Sequence, residues 1–414
     1  MNILVHKGNH EIGGTCIQVT CGRTTILLDV GLPLSLASPQ VDVSQLTVDA
    51  VLVSHPHQDH FGLIDHLAQG TPVYIGELAK NLIDVTNVLL GKERHRNNFQ
   101  HFKAWKPFLI GDFKITPYLV DHSATDAYCF LVEADGKRLF YSGDLRSHGR
   151  KRKLFEHLVK HPIPNIDVMF LEGTMMHRSN DLFPDEEAVE EKIVEVISTQ
   201  KNIGFIISSS QNVDRIVSAY RACKRTGRIL VIDIYTAWVL EQVRKVTKHV
   251  PGMEWPEIRV YADYSQDKRL KANPDYFGDF RRRLYRHRVK WQEMTATPSA
   301  FLYLGKMSSF PKIDAFKNGA EHVTVIYSQW QGYLDGNYSG YFGSDRIAAY
   351  RKDPAVKFVY AHTSGHAPVD ELQRLATALK PKALVPIHTE YAAEFSKSFE
   401  NVMTLKDGET FFLV

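Results

Sequence analysis

A dense group of metal-ligating residue types lies at residues 54–60, in the sequence Ser-His-Pro-His-Gln-Asp-His. His55 and His57 are two residues apart, so their side chains point the same way if the chain is extended there. Asp59 and His60 follow at once, after an apolar run that is typical of a buried strand. Imidazole nitrogens with a carboxylate oxygen are donors that zinc and similar divalent ions prefer. The stretch therefore predicts a metal site, and a merely polar loop is the competing interpretation.

Further histidine and aspartate side chains follow other predicted strands. Asp29 ends an apolar strand, His122 comes after the strands of residues 108–120, and Asp144 ends the strand that follows the Asp135-Gly136 hairpin. Singly, each is typical of a turn. Their shared position favours ligands, because functional residues collect on loops at one rim of a sheet. Asp29 is either a turn former or a partner that orients a metal ligand.

The composition is that of an ordinary globular protein with room for more than one domain. Of 414 residues, 44% are hydrophobic and 23% are charged, and the net charge is only +3. Any contact with nucleic acid must therefore come from local basic patches. Four cysteines without Cys-x-x-Cys spacing predict reduced thiols rather than a disulfide framework. The N-terminus lacks signal-peptide features and no apolar run approaches the ~20 residues of a membrane span, so we expect a cytoplasmic protein without membrane contact.

The sequence pattern changes after the strand that ends at Glu172. Helices and strands alternate within residues 184–345, which predicts a parallel α/β sheet inserted into the first domain. The chain then returns with two strands that are each followed by histidines. The predicted division is a first domain at 1–183, the insert at 184–345 and the completing part at 346–414.

These motifs resemble the metallo-β-lactamase fold superfamily, and within it the β-CASP nucleases. Within that group they resemble ribonuclease J, and we expect this chain to lack its C-terminal domain. The fold implied is an αββα sandwich with an inserted α/β β-CASP domain. Two positions depart from the family pattern, namely Thr389 where glycine is common and Gln211 where serine is expected. The resemblance rests on Asp29, His55-x-His57-x-Asp59-His60, His122, Asp144, Glu172, His362-x-Ser364-Gly365-His366 and Pro386-x-His388-x-Glu390.

The resemblance also implies a role for each site residue. Two divalent ions are expected, zinc first and manganese as the alternative. Glu172 orients His366, which serves as general acid or stabilises the transition state, and Asp59 is also counted as catalytic. Asp29 supports the metal ligands. The first ion is held by His55, His57 and His122, the second by Asp59, His60 and His388, with Asp144 between them. Substrate phosphate contacts are expected from His362, Ser364, Ser210, Asn212 and Arg215.

The predicted function is metal-dependent cleavage of single-stranded RNA, as an endonuclease, a 5′-exonuclease or both. Metal ions can activate water and offset phosphate charge, and a histidine can protonate the leaving oxygen. Three alternatives remain open: a DNA nuclease of the same fold, a small-molecule metallohydrolase, and a non-catalytic scaffold that binds nucleic acid. The oligomeric state, a homodimer included, is not predicted.

Two basic stretches allow different interpretations. Arginines and lysines crowd residues 281–290, where we expect one helix, and Lys151-Arg152-Lys153 forms a second cluster. Either can contact a phosphate backbone. Each is equally explained as a solvated surface.

Overall fold

A computed structural model describes residues 1–35, 37–180, 182–317, 319, 321–335, 338 and 341–413. The chain forms two compact units. The first contains Met1–Lys80, His95–Asn180 and Ser364–Val414, and the second contains Asn81–Arg94 and Asp181–Thr363.

The first unit contains two β-sheets. The strands of one sheet are β1 (Asn2–Lys7), β2 (Cys16–Cys21), β3 (Thr24–Leu28), β4 (Ala50–Leu52), β5 (Pro72–Gly76), β6 (Asn98–Phe102) and β20 (Glu409–Phe412). Their order is β20-β1-β2-β3-β4-β5-β6. The strands of the other sheet are β7 (Phe108–Ile110), β8 (Phe113–Val120), β9 (Ala127–Ala134), β10 (Lys137–Tyr141), β11 (Val168–Glu172) and β19 (Ala383–Ile387). Their order is β19-β11-β10-β9-β8-β7.

The two sheets bury a shared apolar core. Ile3 and Val5 alternate along β1, as expected for a strand with one face inward, and lie in one cluster with Phe130, Val132 and Val385 of the other sheet. The helices associated with this unit are α1 (Gln58–Phe61), α2 (Glu77–Leu90, which extends into the second unit), α3 (Lys153–Lys160) and α13 (Val369–Leu379). A second cluster joins side chains of the sheet that contains β7–β11 and β19 to α3 and α13. The predicted α/β sandwich is confirmed.

The second unit is built on one parallel sheet. Its strands are β12 (Gly204–Ile207), β13 (Ile229–Asp233), β14 (Ile258–Tyr261), β15 (Arg288–Val289), β16 (Phe301–Gly305), β17 (Val323–Tyr327) and β18 (Val356–Tyr360). Every pairing among them is parallel, in the order β15-β14-β13-β16-β12-β17-β18. All four residues of β12 are buried, as expected for a strand covered on both faces.

Nine helices of this unit lie within the described residues. They are α4 (Glu186–Ser198), α5 (Val213–Thr226), α6 (Ile234–Val246), α7 (Tyr264–Ala272), α8 (Pro274–Phe277), α9 (Phe280–Tyr285), α10 (Trp291–Ala296), α11 (Phe310–Phe316) and α12 (Ser344–Ala349). Along the sheet, the chain runs from β12 to β13 in one direction and from β17 to β18 in the other. The adjacent strands β12 and β17 therefore form a topological switch point, and such points commonly form ligand sites at the carboxyl ends of the strands.

Three local expectations differ from the structure. The sequence of residues 62–69, after the histidine motif, predicts a short α-helix, but this segment contains only a 3₁₀ turn, Ile64–His66. The helix expected across 281–290 ends at Tyr285, and the chain continues as the short strand β15. β18 pairs with β17, so residues 346–363 extend the sheet of the second unit instead of completing the first. An apolar strand pattern does not specify which sheet a strand joins, and this explains the last difference.

Candidate metal centre

The carboxyl ends of several strands of the first unit carry the candidate residues. β8, β10, β11 and β19 run parallel to one another and end next to His122, Asp144, Glu172 and His388. Parallel strands end at the same edge of a sheet, so these side chains converge. β3 and β4 are also parallel, and Asp29 and residues 53–57 follow their ends.

The seven residues predicted as metal ligands lie in two adjacent groups. Within each group, one donor atom per residue lies within 4.8 Å of the others. The groups are His55, His57 and His122, and Asp59, His60, Asp144 and His388. In the first, His57 Nδ1 lies 3.1 Å from His55 Nε2 and 3.3 Å from His122 Nε2. In the second, His388 Nε2 lies 3.2 Å from Asp59 Oδ2.

Four of these histidines use Nδ1 in hydrogen bonds to the protein. The Nδ1 of His122 donates to the Gly365 carbonyl at 2.6 Å, and that of His60 donates to Asp29 at 2.7 Å. Ser54 Oγ donates to Asp29 and so accepts from the Nδ1 of His55, 3.0 Å away. Thr174 Oγ1 donates to the His388 carbonyl and accepts from its Nδ1 at 2.8 Å. When Nδ1 carries the proton, Nε2 is left as a metal donor.

The convergence of these Nε2 atoms fits a bound cation. In the described part of the chain, His60 Nε2 and Asp144 Oδ1 are buried without a hydrogen-bond partner, although His60 Nε2 lies 3.1 Å from Asp144 Oδ2 without hydrogen-bond alignment. Unpaired buried polar atoms are costly and usually indicate an unseen ion or water. Nitrogen and carboxylate donors suit zinc. The residues present therefore fit metal binding.

Electrostatics favour neutral donors in the three-histidine group and an ionised Asp144. Burial, followed by the proximity of His60, lowers the pKa of His55 well below its ordinary value. Burial and the nearby His57 do the same to the pKa of His122. Burial opposes ionisation of Asp144, but His388 and His60 outweigh it and hold its pKa well below the usual range. His55, His122 and Asp144 thus have the protonation states that metal ligation needs. His60 differs, because Asp144 and Asp29 outweigh burial and raise its pKa well above the ordinary value.

Asp29 connects several residues of the centre by hydrogen bonds. Its two carboxylate oxygens accept from the Ser54 backbone N–H, the Ser54 hydroxyl, His60 Nδ1 and the Tyr141 hydroxyl, at 2.5–2.7 Å. Asp29 is completely buried, so each donor compensates the desolvation of its charge. Sequence reasoning did not identify Ser54, Tyr141 or Thr174 as partners. Ser54 adjoins the histidine motif, Tyr141 ends an apolar strand and Thr174 closely follows one. These positions were the only signals in the sequence that could have identified the three residues.

Glu172 and His366 form a pair beside the metal-ligand groups. His366 Nδ1 lies 3.1 Å from both carboxylate oxygens of Glu172, which also accept from the backbone N–H groups of Leu145 and Thr174. Burial alone would lower the pKa of His366, but Glu172 and Asp144 outweigh it and raise the pKa above its ordinary value. Glu172 is fully buried, whereas the side chain of His366 is 18% exposed. His366 is therefore the accessible member of the pair.

The backbone before His366 is held by side chains of the first unit. The Ser364 carbonyl accepts from Arg146 Nη1 at 3.3 Å and from His148 Nε2 at 2.9 Å, and its N–H donates to Asn180 Oδ1 at 3.2 Å. Arg146 is fully buried, and its Nε donates to Asp121 at 3.2 Å. The Ser364 hydroxyl, predicted to contact phosphate, accepts from the His366 N–H at 3.0 Å. The Ser364–His366 segment is thus fixed at several points.

Arg215, for which a substrate phosphate contact is predicted, bonds residues of the second unit in this structure, and the substrate contact stays a prediction. Its side chain is completely buried in the second unit, where Nε and Nη2 donate to the two carboxylate oxygens of Glu186 at 3.1 and 3.2 Å. Nη1 donates to the Ser328 carbonyl at 2.8 Å. With these hydrogen bonds the buried guanidinium stabilises the interior of the second unit. The sequence did not reveal Glu186 as its partner.

The other predicted phosphate contacts of this unit lie near the switch point. Ser210 bonds the Thr236 hydroxyl at 2.7 Å, and Asn212 Oδ1 accepts from the Arg215 N–H as the N-cap of α5. His362 Nδ1 donates to the Ser328 carbonyl at 3.2 Å. Their contact with a substrate stays a prediction.

The basic stretches are largely paired. Arg281 bonds Asp267, and Arg283 bonds Glu241 and Asp279. In the first unit, Lys151 Nζ donates to Asp121 at 3.1 Å and to the His122 carbonyl at 3.3 Å.

Two family models match the chain. Residues 24–195 match the beta-lactamase superfamily domain, and residues 355–405 match the Zn-dependent metallo-hydrolase RNA specificity domain. These two segments contain every ligand of the candidate centre. The chain therefore contains a beta-lactamase superfamily domain, and it is similar to the ribonuclease J proteins of the β-CASP group.

Relatives of this group align over different extents. The RNase J-like protein of Methanocaldococcus jannaschii is 29% identical over 56% of this chain and 57% of its own. Ribonuclease J of Helicobacter pylori is 20% identical over 97% of this chain and 59% of its own, and that of Mycoplasma genitalium is 23% identical over 100% and 73%. The chain thus spans less than two thirds of the length of the first two.

A solved structure shares the fold of this chain. The crystal structure of a protein of unknown function from Enterococcus faecalis superposes with a TM-score of 0.76 at 20% identity, over 100% of this chain and 99% of the other. At that identity the likeness concerns the fold alone. Among the described helices, none is long and apolar enough to cross a membrane.

Proposed function

We propose that this protein is a metal-dependent ribonuclease. The observation that supports it most directly is the pair of donor groups with the Glu172–His366 pair beside them. His55, His57 and His122 would hold one divalent ion, and Asp59, His60, Asp144 and His388 would hold a second, with zinc preferred and manganese as the alternative. Such ions supply positive charge that activates water and offsets the charge of a phosphodiester.

The chain's own residues would position the substrate and move a proton. His366 Nδ1 is engaged by Glu172, which leaves Nε2 as the ring atom that faces a leaving oxygen. Glu172 favours the protonated imidazole because a buried carboxylate stabilises a neighbouring positive charge. His366 is therefore suited to act as a general acid.

RNA is the preferred substrate class. The support is the RNA specificity model that matches residues 355–405 and the names of the ribonuclease J relatives. Cleavage of DNA is the alternative, because metal ions and phosphate contacts do not distinguish the sugar. A protein that discriminates must contact the 2′-hydroxyl.

The test compares four substrates with the zinc- or manganese-loaded protein. These are 5′-monophosphate RNA, 5′-hydroxyl RNA, circular RNA and single-stranded DNA of the same sequence. We expect cleavage of the RNAs, at least 10-fold faster than of DNA. Cutting of circular RNA shows endonuclease action, and a requirement for a 5′-monophosphate end shows 5′-exonuclease action.

Variants test whether the candidate centre is responsible. Asp59→Asn and His60→Ala should abolish cleavage and reduce bound metal below that of the wild type, as measured by mass spectrometry of the metals. His249→Ala, at an exposed histidine of the second unit, is the matched control and should behave as wild type. Full activity in either site variant, or preference for DNA, would contradict the proposal.

A further inference from the structure

A basic cavity lies on the second unit and includes Arg283 and Arg286 of the basic stretch at residues 281–290. It has a volume of about 340 Å³, roughly ten times the share of a water molecule in the liquid. The C-terminal part of α6, the loop that follows it and the segment after α9 form its walls. We call it the basic cavity, and its lining residues are Glu241, Arg244, Lys245, Lys248, Met253, Glu254, Arg283, Arg286 and His287.

The charges of the basic cavity are unbalanced. Five of its side chains are lysine or arginine and two are glutamate, which leaves an excess of three positive charges. Glu254 pairs with Arg244 at 2.6 Å, and Glu241 pairs with Arg283 at 2.6 Å. Lys248 and Arg286 are exposed, and no carboxylate of the described residues pairs with either. The cavity therefore presents uncompensated cations around two arginines that are already fixed in place.

The lining provides charged groups but little apolar or stacking surface. Met253 is its only apolar side chain, and the imidazole of His287 is its only aromatic ring. A base or a small organic ligand usually requires apolar or stacking surface. Phosphate groups do not, and arginine presents a planar set of donors that matches phosphate oxygens. The cavity suits a ligand that is recognised through its phosphates.

We propose that the basic cavity binds consecutive backbone phosphates of the single-stranded RNA substrate. The choice of RNA over other polyanions rests on the proposed function. The contact is independent of base sequence, because the lining offers no group arranged to read base edges. Lys248 and Arg286 supply the contacts that depend most on salt, since their charges are not already paired.

The test measures binding of a 20-nucleotide RNA by fluorescence anisotropy, in an Asp59→Asn background that prevents cleavage. Lys248→Gln with Arg286→Gln should raise Kd about tenfold at low salt. It should also reduce the slope of log Kd against log salt by about 1.4, for two single-strand phosphate contacts. The matched control is Lys224→Gln with Lys268→Gln, which removes two exposed cations of the same unit outside the cavity. Its Kd should stay within twofold of the parent.

Three results overturn the inference. Equal effects of the two double variants would show a general charge effect. An unchanged salt slope in the cavity variant would show that no phosphates are bound there. Competition by poly-glutamate as strong as that by RNA at equal charge would show a site for acidic protein segments.

A separate measurement isolates the proposed function. Bis(p-nitrophenyl) phosphate is a small phosphodiester, too short to reach a second binding site. With otherwise wild-type protein, the cavity variant should hydrolyse it at the wild-type rate. If the wild type hydrolyses neither it nor RNA, the proposed function fails, and the anisotropy result still decides whether the basic cavity binds RNA.

Discussion

In four of the five candidate metal-site histidines, the tautomer is set by the group that bonds the Nδ1 atom. A carbonyl, a carboxylate and two hydroxyl groups hold the Nδ1 atoms of His122, His60, His55 and His388. Such partners fix the ring orientation and commonly affect metal affinity 10- to 100-fold. The identity of the ligands follows from the sequence, but their geometry depends on these neighbours.

Arg146 should affect the turnover rate without affecting metal content. Arg146→Lys keeps the positive charge but loses the planar fork that joins Asp121 to the Ser364 carbonyl. His366 follows two residues later, so we expect kcat to fall roughly 10- to 100-fold, the range that a small misplacement of a catalytic group causes. Steady-state kinetics on RNA and metal analysis of the same samples check this.

The control for Arg146 is Arg178→Lys, at a partly exposed arginine that pairs with Glu390. It should leave kcat within about twofold, since exposed ion pairs contribute little. A loss of bound metal in Arg146→Lys would mean that Arg146 supports the metal ligands rather than His366.

At the level of elements, a single-turn helix presents two of the ligands. α1 is four residues long, and both Asp59 and His60 on it are buried. Its carbonyl groups accept from Val30 and Leu32 at 2.8 and 3.0 Å. Gly31 lies between those two residues, and a Cβ there would overlap the Asp59 carbonyl oxygen. The absence of a side chain at Gly31 is therefore what allows α1 to approach β3 so closely.

Asp233 at the start of α6 should make stability depend on pH. It caps the helix through the Thr236 N–H at 2.8 Å and pairs with Lys306. Burial would raise its pKa, but Lys306 outweighs burial and lowers the pKa to about 2. Because the folded pKa lies below the unfolded value of about 3.9, the stabilisation is complete above about pH 4 and is lost as the pH falls toward 2.

Asp233→Asn should therefore lower the free energy of unfolding by about 2 kcal/mol at pH 7 and by less at pH 3. Urea unfolding followed by tryptophan fluorescence measures this, since Trp238, Trp255, Trp291 and Trp330 belong to the second unit and only Trp105 to the first. Asp275→Asn, at an exposed position, is the control. The same loss at both pH values would show that the Asp233 charge is not responsible.

How much the sequence predicts depends on how local the signal is. The His55–His60 motif is contiguous, so the sequence alone predicts metal binding there. The parallel sheet of the second unit follows from alternating helices and strands. The Glu186–Arg215 pair, the Tyr141 hydroxyl bond to Asp29 and the sheet that β18 joins arise from contacts between distant segments. No local pattern encodes such contacts.

At the scale of the whole molecule, the metal ions should stabilise the first unit. An ion that binds only the folded state adds about 4 kcal/mol at 1,000 times its Kd. For a unit of this size we expect chelation to lower Tm on the order of 10 °C, measured by calorimetry, and added zinc to restore it. His122→Ala with His388→Ala should show a smaller response to chelator. An unchanged Tm in the wild type would contradict metal binding by the folded protein.

His388 Nε2 lies 3.2 Å from Asp59 Oδ2 although the two residues are 329 positions apart, and this has a consequence during protein synthesis. A ribosome completes the His55–His60 motif long before β19 exists, and β19 can join β11 only after the whole second unit has emerged. Contacts this distant in sequence form late, because closing so long a loop costs entropy. The nascent chain can therefore present the complete three-histidine group but only three of the four residues of the second group. A partly synthesised chain thus lacks His366 and His388, and it should be unable to cleave RNA until translation has passed them.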